Sequence, residues 1–137
     1  MFQEALRAEP FWMLVACQLV NRATWTKARG VLTEVRRAWS TPWLLADAEF
    51  GDLEVILRPL GLSAGRTRNL TAFAAEWRKH SLTTSWGDLT REKVLALPGC
   101  GPYDADSWAI FVEGRRDVMP TDHKLTWYAR EVLRVRV

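Results

Sequence analysis

Apolar residues recur at helical spacing along most of the chain, and this pattern predicts an all-α protein. In the clearest case, Leu70, Phe73, Ala74 and Trp77 follow the i, i+3, i+4, i+7 spacing of a helix with one buried face. No segment of useful length alternates between apolar and polar residues, so we predict no sheet. The predicted helices cover residues 10–19, 25–39, 43–45, 50–57, 63–77, 90–97, 102–113 and 122–133, and residues 80–87 are predicted to form a loop.

The composition fits a single cytoplasmic domain that spans residues 1–137. A chain of 137 residues with 48% hydrophobic residues can bury a core of its own. No apolar run approaches the ~20 residues that a membrane span needs, and the first residues lack the basic-then-apolar layout of a signal peptide. The two cysteines, Cys17 and Cys100, are too few for a disulfide framework or a four-thiolate metal cluster. We therefore expect a reduced, intracellular protein.

The net charge, the tryptophans and the histidines do not by themselves identify a function. The net charge of +3 is compatible with nucleic-acid binding but does not imply it. Most of the eight tryptophans are expected in the core, and none is assigned to base stacking. His80 and His123 show no metal-ligand spacing, so no metal site is predicted and His123 is interpreted as structural or phosphate-facing.

The most informative segment is a Leu-Pro-Gly-Cys-Gly-Pro turn at residues 97–102, inside a predicted helix-hairpin-helix over about residues 90–113. Gly99 and Gly101 lack a Cβ, so their backbone can adopt positive φ and approach a ligand closely, and Pro102 suits a first helical turn. Free amides at that helix start can bind a DNA phosphate, and the hairpin carbonyls can hold a Na⁺ or K⁺ ion that bridges to the phosphate. An ordinary helix–helix turn is the alternative. The aspartate that follows some twenty residues later, Asp122, favours DNA.

Four segments together resemble the helix-hairpin-helix DNA glycosylase superfamily, which includes endonuclease III and adenine glycosylases. They are Leu-Val-Asn-Arg at 19–22, Arg-Pro-Leu-Gly-Leu at 58–62, Leu-Pro-Gly-Cys-Gly-Pro-Tyr at 97–103 and Pro-Thr-Asp-His-Lys-Leu at 120–125. Within the superfamily, the chain is similar above all to the mismatch-specific thymine glycosylase domain that vertebrates carry beside a methyl-CpG-binding domain. The resemblance implies a compact, all-α helix-hairpin-helix glycosylase fold that binds double-stranded DNA with a mispaired or damaged base. A monomer is the simplest expectation for a protein that surrounds one lesion. If the source is prokaryotic, we expect this cytoplasmic protein to associate with the nucleoid.

Two departures from the wider superfamily bear on the reaction and the cofactors. Endonuclease III-like enzymes place a lysine nucleophile two residues after the second hairpin glycine, where this chain has Tyr103. The resemblance therefore implies a monofunctional enzyme, without lyase activity, that leaves an intact abasic site. Endonuclease III also carries a C-terminal four-cysteine iron–sulfur cluster. No cysteine follows Cys100 here, so we expect no cluster and no cofactor apart from the hairpin cation.

The resemblance assigns the chemistry to Asp122 and Tyr103. The Asp122 carboxylate would stabilise the positive charge that develops on the sugar and orient the attacking water. Asp122 can at the same time cap the last helix. Tyr103 would wall the base pocket and recognise a pyrimidine, with simple packing as the alternative. Gln3 would read the pyrimidine edge through its amide, which is both donor and acceptor.

Other residues are assigned to the DNA duplex by the same resemblance. Arg22 would enter the duplex and fill the gap left by the extruded nucleotide, and Leu62 would wedge beside it. The alternatives are a helix-end cation for Arg22 and core packing for Leu62. Lys124 would contact phosphate together with Gly99 and Gly101, and Arg66 is a weaker phosphate candidate.

The predicted function is excision of thymine or uracil mispaired with guanine. A second hypothesis keeps the chemistry but changes the base, for example to adenine or an alkylated purine. A third is a non-catalytic DNA-binding helix-hairpin-helix module. The presence of Asp122 favours a glycosylase over the third hypothesis.

Overall fold

The computed structural model describes residues 1–83, 85–118, 120, 122, 124–125 and 128–132, and this part of the chain is helical without a strand. The α-helices that the described residues bound at both ends are numbered in chain order: α1 Phe2–Leu6, α2 Pro10–Val20, α3 Trp25–Ala38, α4 Pro42–Ala46, α5 Phe50–Leu57, α6 Ser63–Thr83, α7 Arg91–Leu95 and α8 Pro102–Ser107. Short 3₁₀ helices cover Arg58–Leu60 and Trp86–Asp88, and π-helical turns cover Trp108–Val112 and Tyr128–Val132.

Local sequence accounts for where several helices begin. The hydroxyl of Thr24 accepts a hydrogen bond from the Lys27 amide at the start of α3, and Thr41 and Thr90 do the same for α4 and α7. These caps satisfy amides that have no partner inside the helix. Proline occupies the first turn of α2, α4 and α8, where its missing N–H costs nothing.

Helix α2 is the central element of the fold. All of its residues from Pro10 to Leu19 are buried, so it packs against neighbours on every side. The amphipathic helices α3 and α6 each bury one face on the core. Trp12, Trp77 and Trp108 are buried, Trp25 and Trp39 pack partly buried against the core, and Trp43 and Trp86 are exposed.

Trp108 holds the hairpin region onto this core. Its side chain is fully buried, its indole N–H donates to the Leu89 carbonyl at 3.0 Å, and its ring meets those of Trp77 and Trp86 edge-on. Beneath the hairpin, Arg91 at the start of α7 forms a 2.7 Å ion pair with the buried carboxylate of Asp106 on α8. These contacts fix the direction in which the hairpin faces.

Each predicted helix has a helical counterpart among the described residues, with two differences. Residues 80–83 continue α6, so the predicted loop over 80–87 is wrong there: the Ser81 and Thr83 hydroxyls bond back to carbonyls of the same helix. Helix α1 was not predicted. In the predicted helix 122–133, residues 124–125 and Tyr128–Val132 are helical, while residue 133 lies outside the described residues. None of the described helices is long and apolar enough to cross a membrane.

Candidate active site

A cleft of about 550 Å³ opens between α1, the end of α2 with the loop that follows it, the first turn of α8, Asp122 and Lys124. Four of the residues predicted for the site line it: Arg22, Tyr103, Asp122 and Lys124. Its remaining walls are mostly apolar and come from Met1, Phe2, Val20, Asn21, Ala23 and Trp25. Phe2 and Trp25 stack face to face with ring centroids 4.3 Å apart, which joins α1 to the start of α3, directly after the loop that carries Arg22.

Asp122 is held in place by the short helical turn that follows it. Its Oδ2 accepts a hydrogen bond from the Leu125 amide at 3.0 Å, and the residue is half-buried. The capping interaction is therefore present. It is compatible with the predicted catalytic role, because the same residue also lines the cleft.

Tyr103 lies on the cleft wall with Gln3 directly behind it. The Gln3 side-chain Nε2 donates to the Tyr103 hydroxyl oxygen at 2.7 Å and to the Ser107 hydroxyl at 3.3 Å. Burial raises the pKa of Tyr103, and the neighbouring acidic groups of Cys17 and Asp122 raise it further. The phenol therefore stays protonated at neutral pH, and its own proton can be donated onward.

Gln3 is fully buried in α1 and does not line the cleft itself. Among the described residues its Oε1 has no hydrogen-bond partner, although it is shielded from water. A buried carbonyl without a donor is costly, and such atoms are rare in folded proteins. Gln3 reaches the cleft only indirectly, because the Tyr103 hydroxyl to which it donates belongs to a residue of the cleft wall.

The two hairpin glycines have different conformations. Gly99 has φ of +75°, and a Cβ there would lie 2.4 Å from Gln18 Oε1. It sits at the third position of a turn closed by the Cys100 amide and the Leu97 carbonyl at 3.1 Å, where positive φ favours glycine. Gly101 has an extended backbone with φ of −120°, and a Cβ there would meet nothing within 4 Å. The prediction of positive φ is right for Gly99 and wrong for Gly101.

The Gly101 amide is not free, contrary to the prediction for this helix start. It donates to Asp104 Oδ2 at 2.9 Å, because Asp104 stands three residues on, at the capping-box position of α8. Asp104 is 5% exposed, and burial raises the pKa of its carboxyl from 3.8 to about 7. Its other oxygen has no hydrogen-bond partner within the described part of the chain. The Gly-Pro-x-Asp order was the sequence signal for this contact.

Both cysteines are protonated thiols at neutral pH. Burial raises the pKa of Cys17 and of Cys100, and the nearby Asp104 raises both further. Cys100 packs against the core and contacts the Gln18 side chain at 3.5 Å. Among the described residues, no group of three or more His, Cys, Asp or Glu side chains could hold a metal ion. His123 lies outside them.

Arg22 and Leu62, the residues predicted to enter DNA, share an unusual backbone conformation. They are the non-glycine residues with positive φ in the described part of the chain, at 58° and 52°. This conformation costs roughly 1–2 kcal/mol per residue, and such strain concentrates at functional sites. Leu62 is 67% exposed, so the alternative of core packing is wrong for it. Arg22 is also exposed and lies beyond the end of α2.

Arg66 makes intramolecular contacts that sequence reasoning did not reveal. Its guanidinium donates to backbone carbonyls at the end of α2 and in the turn before α6: Gln18 at 3.0 Å, Leu19 at 3.4 Å, Asn21 at 2.6 Å, Leu60 at 3.5 Å and Gly61 at 2.8 Å. Burial lowers the pKa of this guanidinium. These contacts direct its donors to the backbone of the protein itself, and the assignment of Arg66 to DNA phosphate stays a prediction.

The chain resembles known proteins over most of its length, although no family model matches it. A methyl-CpG-binding domain protein 4-like protein from Arabidopsis thaliana is 31% identical over 137 residues, which cover 99% of this chain and 28% of the relative. A thymine-DNA glycosylase from Aeropyrum pernix is 32% identical over 100 residues, which cover 72% of this chain and 43% of the relative. The solved structure of a non-covalent endonuclease III–DNA complex superimposes with a TM-score of 0.73 at 22% identity, over 90% of this chain and 56% of that one.

The chain belongs to the helix-hairpin-helix DNA glycosylase superfamily. The predicted family and the predicted all-α fold of this superfamily are thereby confirmed. The chain spans less than half the length of these two curated superfamily members. The likeness to the endonuclease III structure is a likeness of fold. In this chain, Tyr103 follows the second hairpin glycine by two residues.

Proposed function

We propose that this chain is a monofunctional DNA glycosylase of base excision repair. It hydrolyses the N-glycosidic bond of thymine or uracil opposite guanine in double-stranded DNA, after extrusion of the base, and leaves an abasic site. The observation that carries the proposal is the convergence of Arg22, Tyr103, Asp122 and Lys124 on one cleft. The Aeropyrum pernix relative, named a thymine-DNA glycosylase, supports the choice of base.

Asp122 is the proposed catalytic carboxylate. As the bond between base and sugar breaks, positive charge develops on the sugar, as in glycoside hydrolysis. A carboxylate fixed at the cleft by the Leu125 amide stabilises this charge without having to reorganise, and it orients the water that attacks the sugar.

Tyr103 and Gln3 form the proposed base pocket. The protonated Tyr103 hydroxyl can donate to a carbonyl oxygen of the pyrimidine, because its own oxygen already accepts from Gln3. Gln3 acts first by orienting this hydroxyl. Gln3 does not line the cleft, so in this proposal it reads the pyrimidine edge through the Tyr103 hydroxyl.

Strand cleavage is not part of the proposed reaction, because Tyr103 occupies the place of the lysine nucleophile. Lys124 is the lysine that lines the described cleft. A strand break by a Schiff-base route would therefore implicate Lys124.

The remaining residues hold the DNA around the extruded nucleotide. Arg22 and Leu62 fill the gap in the duplex, which offsets the lost stacking. Lys124 contacts a phosphate, and a phosphate packs closely against the hairpin backbone at Gly99 and Gly101, although the Gly101 amide itself donates to Asp104. A Na⁺ or K⁺ ion would bind hairpin carbonyls: those of Leu97 and Gly101 each accept one hydrogen bond and keep a second lone pair. Such an ion would supply positive charge to a phosphate.

The test is a single-turnover incubation with end-labelled duplexes that carry G·T or G·U, read with and without hot alkali. We expect product after alkali treatment alone. Asp122→Asn should abolish base release and spare DNA binding, while the matched control Asp117→Asn, an exposed carboxylate paired with Arg115, should leave the rate unchanged.

Each other outcome points to a defined alternative. Excision that survives Asp122→Asn would mean that another residue is catalytic. Strand breaks without alkali would show a lyase. Binding of both duplexes without any product would favour a different base, such as adenine or an alkylated purine, or a binding module without catalysis.

A further inference from the structure

Arg66 connects two segments that lie far apart in sequence. It belongs to the first turns of α6, and its guanidinium reaches the end of α2 on one side and the turn before α6 on the other. A guanidinium has five N–H groups, and five carbonyl contacts surround this one. Its hydrogen-bonding capacity is therefore used entirely within the protein.

The two shortest of these contacts are at the residues directly before Arg22 and Leu62. Nη2 donates to the Asn21 carbonyl at 2.6 Å, and Nε donates to the Gly61 carbonyl at 2.8 Å. The next residue in each case is the exposed one with positive φ. One side chain thus fixes the peptide groups from which both side chains extend.

The contacts also explain how the chain can leave α2 at this point. The last carbonyls of a helix have no partner inside it, and Arg66 satisfies those of Gln18 and Leu19. The planar fork of arginine suits several carbonyls in fixed directions, whereas a lysine ammonium offers three donors from a single point.

We propose that Arg66 is a positioning residue that couples the two DNA-entering segments, residues 18–24 and 58–64, so that Arg22 and Leu62 keep a fixed spacing before DNA binds. The inference rests on the proposed function for the roles of these two side chains. It concerns extrusion of the base rather than cleavage of the bond, since Arg66 does not line the cleft that contains Asp122.

The first test needs no chemistry and uses hydrogen exchange of the DNA-free protein. In Arg66→Met, and to a smaller extent in Arg66→Lys, amides in both segments should lose protection together. Arg68→Met is the matched control, because Arg68 is an exposed arginine two residues away on the same helix. Loss of protection in one segment alone, or in neither, would overturn the coupling whether or not the protein excises bases.

The second test separates positioning from general damage to the fold. Uracil opposite guanine must be extruded from a stacked duplex, whereas uracil opposite an abasic-site analogue is extruded more easily. We expect Arg66→Lys to slow single-turnover excision from the first duplex by about 10- to 100-fold and from the second far less. An equal loss on both duplexes would overturn the proposal. If Arg66→Met does not fold, Arg66→Lys carries both tests.

Absence of excision by the unaltered protein would refute the proposed function instead. In that case 2-aminopurine fluorescence beside a G·T mispair reports extrusion directly. A smaller signal with Arg66→Lys than with Arg68→Met would support the positioning role, and equal signals would overturn it.

Discussion

Gln3 is a buried amide that is only half satisfied by its hydrogen bonds. Its Nε2 makes two hydrogen bonds, to Tyr103 and Ser107, while its Oε1 has no hydrogen-bond partner among the described residues. Each bond contributes about 0.5–1.5 kcal/mol, and an unsatisfied buried carbonyl costs about 1–3 kcal/mol. The two effects nearly offset each other in the free protein.

We therefore expect Gln3→Met to change the free energy of unfolding by no more than about 1 kcal/mol and to slow excision of thymine and uracil at least about tenfold. Urea denaturation and single-turnover rates measure the two effects. A loss of stability above about 3 kcal/mol with an unchanged rate would show that Gln3 serves the fold and not the base.

Sequence motifs identified the side chains that meet at the cleft, but not the contacts behind them. Asp122, Tyr103, Arg22 and Lys124 each lie in a recognisable segment. The bond between Gln3 and Tyr103 joins residues 100 positions apart, and the contact of Arg66 with Asn21 joins residues 45 positions apart. Such pairs arise from the packing of whole helices, which local patterns do not contain.

In the hairpin, the two glycines offer a matched pair of substitutions. Gly99→Ala places a side chain at positive φ and a Cβ against Gln18, so we expect it to lower the free energy of unfolding by about 2–3 kcal/mol. Gly101→Ala meets open space with an extended backbone and should cost less than about 0.5 kcal/mol.

The same pair tests the proposed approach of a phosphate to the hairpin. If DNA comes close to Gly101, Gly101→Ala should weaken binding of a mismatched duplex while the free energy of unfolding stays nearly constant. Unchanged binding by Gly101→Ala would place the phosphate elsewhere. Chemical denaturation and fluorescence anisotropy are the measurements.

Asp104 gives the hairpin a pH-dependent stability. Its pKa is about 7 in the folded protein against 3.8 for a free carboxyl, mainly because of burial. Between these values the folded state keeps a proton that the unfolded state has lost, so stability falls as pH rises from about 4 to about 7 and levels off above that. Deprotonation leaves a buried charge beside the Gly101 amide.

Asp104→Asn removes this titration and keeps an oxygen that can accept from Gly101. We expect the variant and the unaltered protein to differ little near pH 4.5, and the variant to be more stable by about 3 kcal/mol at pH 8. Unfolding midpoints measured across this pH range check the sign. A difference that shrinks with rising pH would contradict the raised pKa.

Helix positions followed from the sequence where one face is buried, as in α3 and α6. Their ends were harder to place. Beyond Trp77, the hydroxyls of Ser81 and Thr83 extend α6 by bonding to its own carbonyls, although residues of this type usually favour loops. At the hairpin, the turn at Gly99 was predictable, but the occupation of the Gly101 amide depends on the burial of Asp104.

For the protein as a whole, the modest net charge of +3 means that phosphate contacts must come from local cations. Lys124 is exposed and lines the cleft beside Asp122. Each phosphate that a protein neutralises releases condensed counterions, so the binding constant falls as salt rises. If Lys124 neutralises one phosphate, replacing it should make the binding constant less sensitive to salt.

We expect Lys124→Met to reduce the slope of log K against log salt by about 0.9 for duplex DNA. Lys79→Met is the control, because Lys79 is exposed, lies outside the residues that line the cleft and faces Glu76 at 3.7 Å. Both are measured in the Asp122→Asn background, so that the base is not removed during titration. An unchanged slope, together with slower excision by Lys124→Met in the protein that retains Asp122, would place the Lys124 ammonium at the sugar instead of the phosphate. A group at the reacting centre alters the rate without releasing an ion.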